Sequence, residues 1–193
     1  MASDTRKARK AAARQPVLPL TVSRHALLER GSDRRFRMLV HDLFTIAGRM
    51  NAVRDHFGRQ LGITGPQYSL LVAVAQLQGT DGVSVGRVAD MLRVSSAFVA
   101  SQSGVLVGRS LLVKQPSSRD RRSMLLSLTP AAAVRIKSLA SEIRAVNDSF
   151  FAALDRAAFD ALATAAAAIV QSSVKAVAFV AAAEASGAAT HSD

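Results

Sequence analysis

Residues 83–129, VSVGRVADMLRVSSAFVASQSGVLVGRSLLVKQPSSRDRRSMLLSLT, contain three structural patterns in succession. Ser84 can cap one short helix and Ser95 a second, and only two residues form the corner between them. After Ser110 the apolar residues alternate with a period of two, which predicts a β-hairpin. Two short helices with a tight corner, followed by a hairpin, are typical of a winged helix-turn-helix, whose second helix enters the major groove of DNA.

The hairpin is predicted to have strands at 111–114 and 124–128, joined by a polar and basic loop. Arginines of such a loop can reach phosphates and the adjacent minor groove, where a narrow, electronegative groove favours them. We therefore expect Arg119, Arg121 and Arg122 to contact DNA.

On both sides of this region the sequence is helical. Apolar residues at steps of three and four predict one long helix over 34–60. Thr64 begins a second helix that reaches about Gln78, with a proline near its first turn. Further helices are predicted over 130–151 and 155–180. The fold class is therefore mainly α with a small β-hairpin wing.

This pattern predicts the organisation of the whole chain. Residues 1–33 form a basic, flexible N-terminal arm, with Asp33 as a cap for the helix that follows. Residues 63–129 form the DNA-binding domain, and 183–193 a flexible tail. The remaining helical segments, 34–62 and 130–182, are predicted to form a dimerisation region.

Charge is distributed in blocks along the chain. The net charge is +11, and residues 1–37 carry ten Lys or Arg against three acids. Residues 109–122 carry five basic side chains against one acid, whereas residues 138–193 carry three basic and six acidic ones. Basic blocks beside an acidic end predict a surface that binds a polyanion.

Composition argues against other functions. There is no cysteine, and the four histidines lack the spacing of metal ligands, so we expect neither a metal site nor a cofactor. An enzyme is the third hypothesis, and no nucleophile–base arrangement favours it. Polar residues interrupt the apolar stretch 161–183, so we expect no membrane span and a cytoplasmic protein.

Three segments resemble the MarR (multiple antibiotic resistance regulator) family. Residues 120–129, DRRSMLLSLT, resemble its wing signature, which is an Asp, any residue, an Arg, a short strand and then Leu/Val-Thr. Residues 61–68, LGITGPQY, resemble the entry into its second helix, and 83–95, VSVGRVADMLRVS, resemble its helix-turn-helix. The resemblance covers about residues 34–180.

The resemblance implies a homodimer built from the first helix and the last two. It also implies a repressor that binds an inverted-repeat operator and releases it when a small, often aromatic and acidic effector binds. Asp120 would hold the shape of the wing through an arginine, for which Arg122 is the candidate. Arg119 and Arg121 would lie nearest to DNA.

The second helix of the helix-turn-helix departs from the family pattern. No basic residue occurs between Ser95 and Gly108, and Ser101 stands at the usual arginine position. Direct reading of bases by forked side chains is therefore not available, and an architectural DNA-binding protein with weak sequence preference is the alternative function. We predict a buried side formed by Val99, Ser103 and Leu106 and an opposite side formed by Ala97, Ala100, Ser101 and Gly104. The predicted DNA-contacting residues are Ser95, Ser96, Ala97, Ala100, Ser101 and Gln102.

Arg54 lies within the apolar stripe of the first long helix. Because an unpaired buried charge is costly, this arginine needs a partner or a route to solvent. One interpretation is a structural salt bridge or an outward-reaching side chain. The other is a clamp for an effector carboxylate, with Tyr68 and Phe44 as further candidate effector-binding residues.

Overall fold

A computed structural model describes residues 18–117 and 123–189 of the chain. The described residues form seven α-helices and a three-stranded antiparallel sheet, as the sequence predicts for the fold class. In chain order the elements are α1 (Arg34–Gln60), α2 (Gly65–Leu77), β1 (Val83–Ser84), α3 (Val85–Leu92), α4 (Ser96–Gly108), β2 (Leu112–Pro116), β3 (Met124–Leu128), α5 (Pro130–Ser138), α6 (Ala140–Phe150) and α7 (Arg156–Ala189).

The chain divides into two compact units, Met1–Ala133 and Val134–Asp193. The first unit contains α1 together with the helix-turn-helix and the sheet, and its most extensive helix–helix contact joins α1 to α2. The predicted grouping of α1 with the C-terminal helices in a dimerisation region stays a prediction.

Three helices of the first unit begin at the capping residues that the sequence predicts. Thr64 accepts a hydrogen bond from the Gln67 backbone N–H, and the Gln67 side chain accepts one from the Thr64 N–H, which completes a capping box. Ser84 caps α3, and Ser95 caps α4 by accepting from Phe98 N at 3.1 Å. These caps satisfy N–H groups that the first helical turn leaves without a partner.

The sheet has the strand order β1-β3-β2. The β2–β3 pair is the predicted hairpin, with Leu112 opposite Leu128 and Pro116 opposite Met124. The two-residue strand β1 adds to the other edge of β3 and was not predicted. Leu126 of β3 is fully buried and joins the core formed by α2, α3 and α4, whose fully buried members include Leu70, Leu71, Val74, Val88, Val99 and Leu106.

The segment 18–33, which the sequence predicts as part of a flexible arm, contains local structure, and residues 1–17 of that arm lie outside the described residues. Segment 18–33 includes a short 3-10 helix at His25–Leu27 and an isolated β-bridge between Glu29 and Ser32. Asp33 occupies the predicted N-cap position of α1, but its side chain makes no capping hydrogen bond to that helix. Its carboxylate instead accepts from the backbone N–H and the hydroxyl of Thr21, at 2.7 and 2.8 Å.

The C-terminal helices differ from the sequence prediction in their bounds. The helix predicted over 130–151 is two helices, α5 and α6, with a break at Leu139. The last helix, α7, continues to Ala189 and so includes part of the predicted flexible tail. Within it, residues 156–186 are long and apolar enough to cross a membrane by length and composition alone, which is weak evidence for a span.

Candidate nucleic-acid interface

Helix α4 separates its residues into a buried and an exposed side as the sequence predicts. Val99, Ser103 and Leu106 are fully buried, and the Ser103 hydroxyl donates to the Ala100 carbonyl at 3.0 Å. The exposed side presents the small residues Ala97, Ala100, Ser101 and Gly104 together with Ser96. A side of this kind lets the helix backbone approach another surface closely.

Two of the predicted DNA-contacting side chains already have partners within the protein. The Ser95 hydroxyl is the N-cap of α4. Gln102 is half-buried and accepts a hydrogen bond from Gln67 Nε2 at 3.0 Å, which ties α4 to the start of α2. Both residues therefore position the exposed side of α4, and their proposed contacts with DNA remain predictions.

The hairpin that follows α4 closes at its loop through a hydrogen bond from Ser117 N to Ser123 O, at 2.8 Å. The predicted wing residues Arg119, Asp120, Arg121 and Arg122 lie outside the described residues. The structure therefore fixes the two strands that carry the loop, and the roles of these four side chains remain predictions.

The corner between α3 and α4 depends on Arg93. This residue has φ 56° and ψ 44°, the left-handed conformation that commonly ends a helix and that glycine or asparagine usually supplies. Its side chain is exposed, as is that of Arg87 in α3. These two cations beside α4 were not predicted from the sequence. The sequence pattern that could have identified them is a basic residue within the first helix or the corner of a helix-turn-helix.

The end of α4 is bonded to the end of α1. The guanidinium of Arg109, the C-cap residue of α4, donates to the carbonyl of Gly62, which follows α1 and has φ +71°. Residues 61–64 join α1 to α2, and we call them the elbow. Gly58 packs against the elbow, and a Cβ at this position would lie 2.8 Å from the Ile63 carbonyl oxygen. The elbow between α1 and α2 therefore has no room for a larger side chain.

Arg54 lies at this elbow. Its Nε is buried and has no hydrogen-bond partner among the described residues. It is close to the start of α2, since a Cβ on Gly65 would be 3.2 Å from that nitrogen and would collide with Asp55. The expected structural salt bridge is not seen within the part of the chain that the structure describes, and the Arg54 side chain is half-exposed.

The other candidate effector residues occupy different surroundings. Tyr68 stacks on Phe57 with ring centroids 5.7 Å apart, and burial raises the pKa of its hydroxyl. Phe44 is 74% exposed and precedes Arg54 by ten residues, about 15 Å along the axis of α1. Within the single chain, the structure therefore does not bring Phe44 next to Arg54.

A cavity of about 440 Å³ lies between the 3-10 helix and the start of α1, and its lining does not include Arg54, Tyr68 or Phe44. Its walls come from Leu27, Leu28, Phe36 and Leu39, with Arg35 and Glu29 also on the lining. Among residues 18–117 and 123–189, no group of three or more His, Cys, Asp or Glu is arranged to hold a metal ion.

The chain is similar in structure to solved MarR regulators. A MarR transcriptional regulator from Methanosarcina mazei Go1 shares 15% identity, with a TM-score of 0.58 over 72% of this chain and 98% of that one. A mutant MarR from E. coli, complexed with operator DNA, shares 14% identity, with a TM-score of 0.59 over 70% and 95%. Bordetella bronchiseptica BpsR, described for regulation of its DNA binding by 6-hydroxynicotinic acid, shares 21%, with a TM-score of 0.57 over 77% and 98%.

No protein-family model and no curated protein matches the sequence. At these identities the structural likeness establishes the fold, and the chain has the winged helix fold of the MarR regulators. Almost the whole length of each of these transcription regulators aligns with this chain. About a quarter of this chain lies outside the aligned part.

Proposed function

We propose that the chain is a MarR-family transcriptional regulator that binds double-stranded DNA as a homodimer. The observation that carries this proposal is the exposed side of α4. Ser95 caps the helix, and the β2–β3 hairpin follows it. Its side chains Val99, Ser103 and Leu106 are buried and anchor it to the core. This arrangement would present the second helix and the hairpin to DNA from one compact unit.

The small side of α4 determines how DNA would be read. The side chains of Ala97 and Ala100 are short and Gly104 has none, so the helix backbone can lie unusually close to the base edges. Contacts would then be apolar ones to thymine methyl groups, hydrogen bonds from Ser96 and Ser101, and bridging waters. Specificity would depend mostly on groove shape and on the spacing of two half-sites in an inverted repeat.

The wing would supply most of the electrostatic attraction. Arg119, Arg121 and Arg122 follow the closed end of β2 in sequence, and we propose that they bind phosphates and the minor groove. Asp120 would hold the loop in shape through Arg122. Exposed Arg87 and Arg93 would add phosphate contacts beside α4.

Exposed apolar side chains on two helices support a homodimer. Between residues 41 and 50 every residue of α1 is exposed, and α7 is exposed from Arg156 to Ser186. Water contact with so many large apolar side chains is unfavourable, and a second copy can cover them. They include Met38, Leu39, Leu43, Phe44, Ile46 and Met50 of α1 and Phe159, Leu162, Ile169, Val170, Val174, Val177 and Val180 of α7.

This use of α7 also accounts for its apolar composition without a membrane. Phe159, Val170 and Val177 fall on one side at helical spacing, whereas Gln171 and Lys175 fall elsewhere, which is typical of a packing helix. We therefore propose a cytoplasmic protein.

We further propose that the regulator is a repressor released by a small aromatic carboxylate. The buried Nε of Arg54, which has no partner among the described residues, supports this, because a carboxylate oxygen can supply the hydrogen-bond acceptor that this atom lacks. Tyr68 and, from elsewhere in the dimer, Phe44 would add aromatic contacts. The similar regulator BpsR is described for control of its DNA binding by 6-hydroxynicotinic acid, which belongs to this chemical class.

A specific observation also favours the second candidate, an architectural DNA-binding protein with weak sequence preference. The exposed side of α4 carries no charge and no long polar side chain. A genome-wide map of bound sites separates the two functions, because a regulator occupies a few discrete inverted repeats and an architectural protein occupies thousands of scattered sites.

The wing tests DNA binding itself. Arg119→Ala and Arg121→Ala should each weaken binding to all sequences alike and flatten the salt dependence by about one unit of slope for each phosphate that is no longer neutralised. Asp120→Ala should weaken binding as well, because the loop loses its shape. Tighter binding by Asp120→Ala, as expected if a repulsive charge were removed, would contradict the role of Asp120.

A further inference from the structure

The N-terminal segment carries four arginines that form no ion pair among the described residues. Thr21 and Asp33, twelve residues apart, close this segment into a loop through two hydrogen bonds. Four arginines of the loop and of the first turn of α1 are exposed, and the structure shows no ion pair for them among the described residues. We call this cluster, Arg24, Arg30, Arg34 and Arg35, the basic loop.

The acids of the segment offset the charge of the basic loop only in part. The Asp33 carboxylate is 1% exposed and is already engaged by Thr21 and by Arg37, whose guanidinium lies 2.7 Å away. Glu29 is the other acid between residues 18 and 37. Residues 1–17, which precede the loop, add five Lys or Arg against one acid to the sequence charge.

The basic loop and the helix-turn-helix lie at opposite ends of α1. Arg34 and Arg35 begin this 27-residue helix, whose length is about 40 Å. At its other end, Gly62 is bonded to Arg109 of α4. The cations of the basic loop are therefore separated from the elbow that holds α4 by about twice the width of a DNA duplex.

We propose that the basic loop is a second DNA-binding surface, which lets the protein hold two duplexes at once. The proposal rests on the proposed function, because the first duplex is the one bound by α4 and the wing. Phosphates bind exposed, unpaired guanidinium groups through charge-assisted hydrogen bonds, and such binding does not depend on sequence. Because the basic loop lies about 40 Å along α1 from the elbow beside α4, it does not share the surface formed by α4 and the hairpin.

A bridging assay with the full chain tests the proposal. A biotinylated duplex on beads is loaded with protein and washed, and the capture of a second, fluorescent duplex is measured. The test variant replaces Arg24, Arg30, Arg34 and Arg35 with glutamine. The matched control removes the same charge elsewhere, through Arg135→Gln, Arg144→Gln, Lys137→Gln and Lys175→Gln, at positions outside the basic loop and α4.

We expect the test variant to capture at least about tenfold less of the second duplex, because four cations that neutralise phosphates are removed. Its affinity for a single duplex should stay within about twofold of wild type, and the control variant should bridge normally. Undiminished capture by the test variant overturns the proposal. A parallel fall in single-duplex affinity also overturns it, because the basic loop would then belong to the first interface.

The assay also separates this proposal from the proposed function. A wild-type chain that binds the bead duplex but captures no second duplex contradicts the second surface alone. A wild-type chain that binds no duplex contradicts the DNA-binding function and the second surface together.

Discussion

Gln67 on α2 donates from Nε2 to Oε1 of Gln102 on α4, at 3.0 Å, while its own Oε1 accepts from the N–H of Thr64. Gln67 is 8% exposed, so water does not readily replace a missing partner. The hydrogen bond thus connects the exposed side of α4 to the elbow at the end of α1.

We expect Gln102→Ala to lower the free energy of unfolding by about 1–3 kcal/mol, because a nearly buried amide loses its acceptor. Urea denaturation measures the effect. Ser101→Ala, one residue earlier and exposed, is the matched control and should change stability by no more than about 0.5 kcal/mol. Equal effects of the two variants would show that the Gln67–Gln102 bond contributes nothing to stability.

Two glycines of α1 should respond in opposite directions to alanine. At Gly58 a Cβ would lie 2.8 Å from the Ile63 oxygen and 2.9 Å from the Thr64 carbonyl carbon, both backbone atoms that cannot rotate away. Gly58→Ala should therefore cost about 1–3 kcal/mol of stability. At Gly48 nothing lies within 4 Å, so Gly48→Ala should add up to about 1 kcal/mol through helix propensity. Thermal unfolding of the two variants measures the contrast, and a stabilised Gly58→Ala would refute the tight elbow.

Asp33 should make stability depend on pH in the acid range. Hydrogen bonds from the N–H and the hydroxyl of Thr21 lower the pKa of Asp33 below its ordinary value of 3.8, and Arg37 lowers it further. Burial acts in the opposite direction but is outweighed, because this side chain lies near the protein surface despite its low exposure.

Because the folded pKa is depressed, the stabilisation by the Asp33 carboxylate is fully present above pH 3.8 and is lost as pH falls below it. The stability difference between wild type and Asp33→Asn should therefore be constant near neutral pH and shrink in acid. Urea denaturation at several pH values measures this difference. Asp42→Asn, an exposed change on the same helix, is the control, and a difference that grows in acid would have the wrong sign.

The homodimer can be tested on adjacent residues of α7. Val170 falls on the apolar side of the helix and Gln171 beside it, and both are exposed in the single chain. Val170→Glu should weaken the dimer about 100-fold, because an unpaired charge in an interface costs about 3 kcal/mol. Gln171→Glu introduces the same charge and should leave the dimer intact. Sedimentation at micromolar concentration measures both, and a folded wild-type monomer there would contradict the dimer.

Operator recognition should depend more on geometry than on single bases. The two half-sites should lie about one helical turn apart. A change of a few base pairs in their spacing should weaken binding more than any one base substitution within a half-site, because the small side of α4 reads few bases directly. Ser101→Arg should raise affinity for non-specific DNA and blur discrimination. A binding-site selection that returned a sharp G-centred half-site, insensitive to spacing, would contradict this mode of reading.

Short-range signals predicted most of the first unit correctly. Ser84, Ser95 and Thr64 cap helices because a hydroxyl reaches N–H groups two or three residues ahead, a distance that the sequence shows directly. The buried side of α4 followed from helical periodicity, and the hairpin from alternation.

Features that depend on partners distant in sequence could not be predicted. The two-residue strand β1 is too short to show alternation, and it exists because β3 pairs with it. Asp33 has the position of a helix cap, but its carboxylate binds Thr21, and nothing in its immediate sequence indicates that choice. Gln102 is paired with a residue 35 positions away. The bounds of α5 and α6 were also missed, because no proline or glycine marks the break at Leu139.

The bond between Arg109 and Gly62 makes α1 a lever whose pivot is the elbow beside α4. Along a rod of about 40 Å, a displacement of about 3.5 Å at the far end corresponds to a rotation of only about 5° at the pivot. In the proposed dimer, where apolar side chains of α1 would pack against the second copy, a modest shift in that packing would move the two recognition helices in opposite senses. In the proposed dimer, the separation of the two α4 helices, and with it the half-site spacing that they fit, would therefore respond to packing at the opposite end of α1.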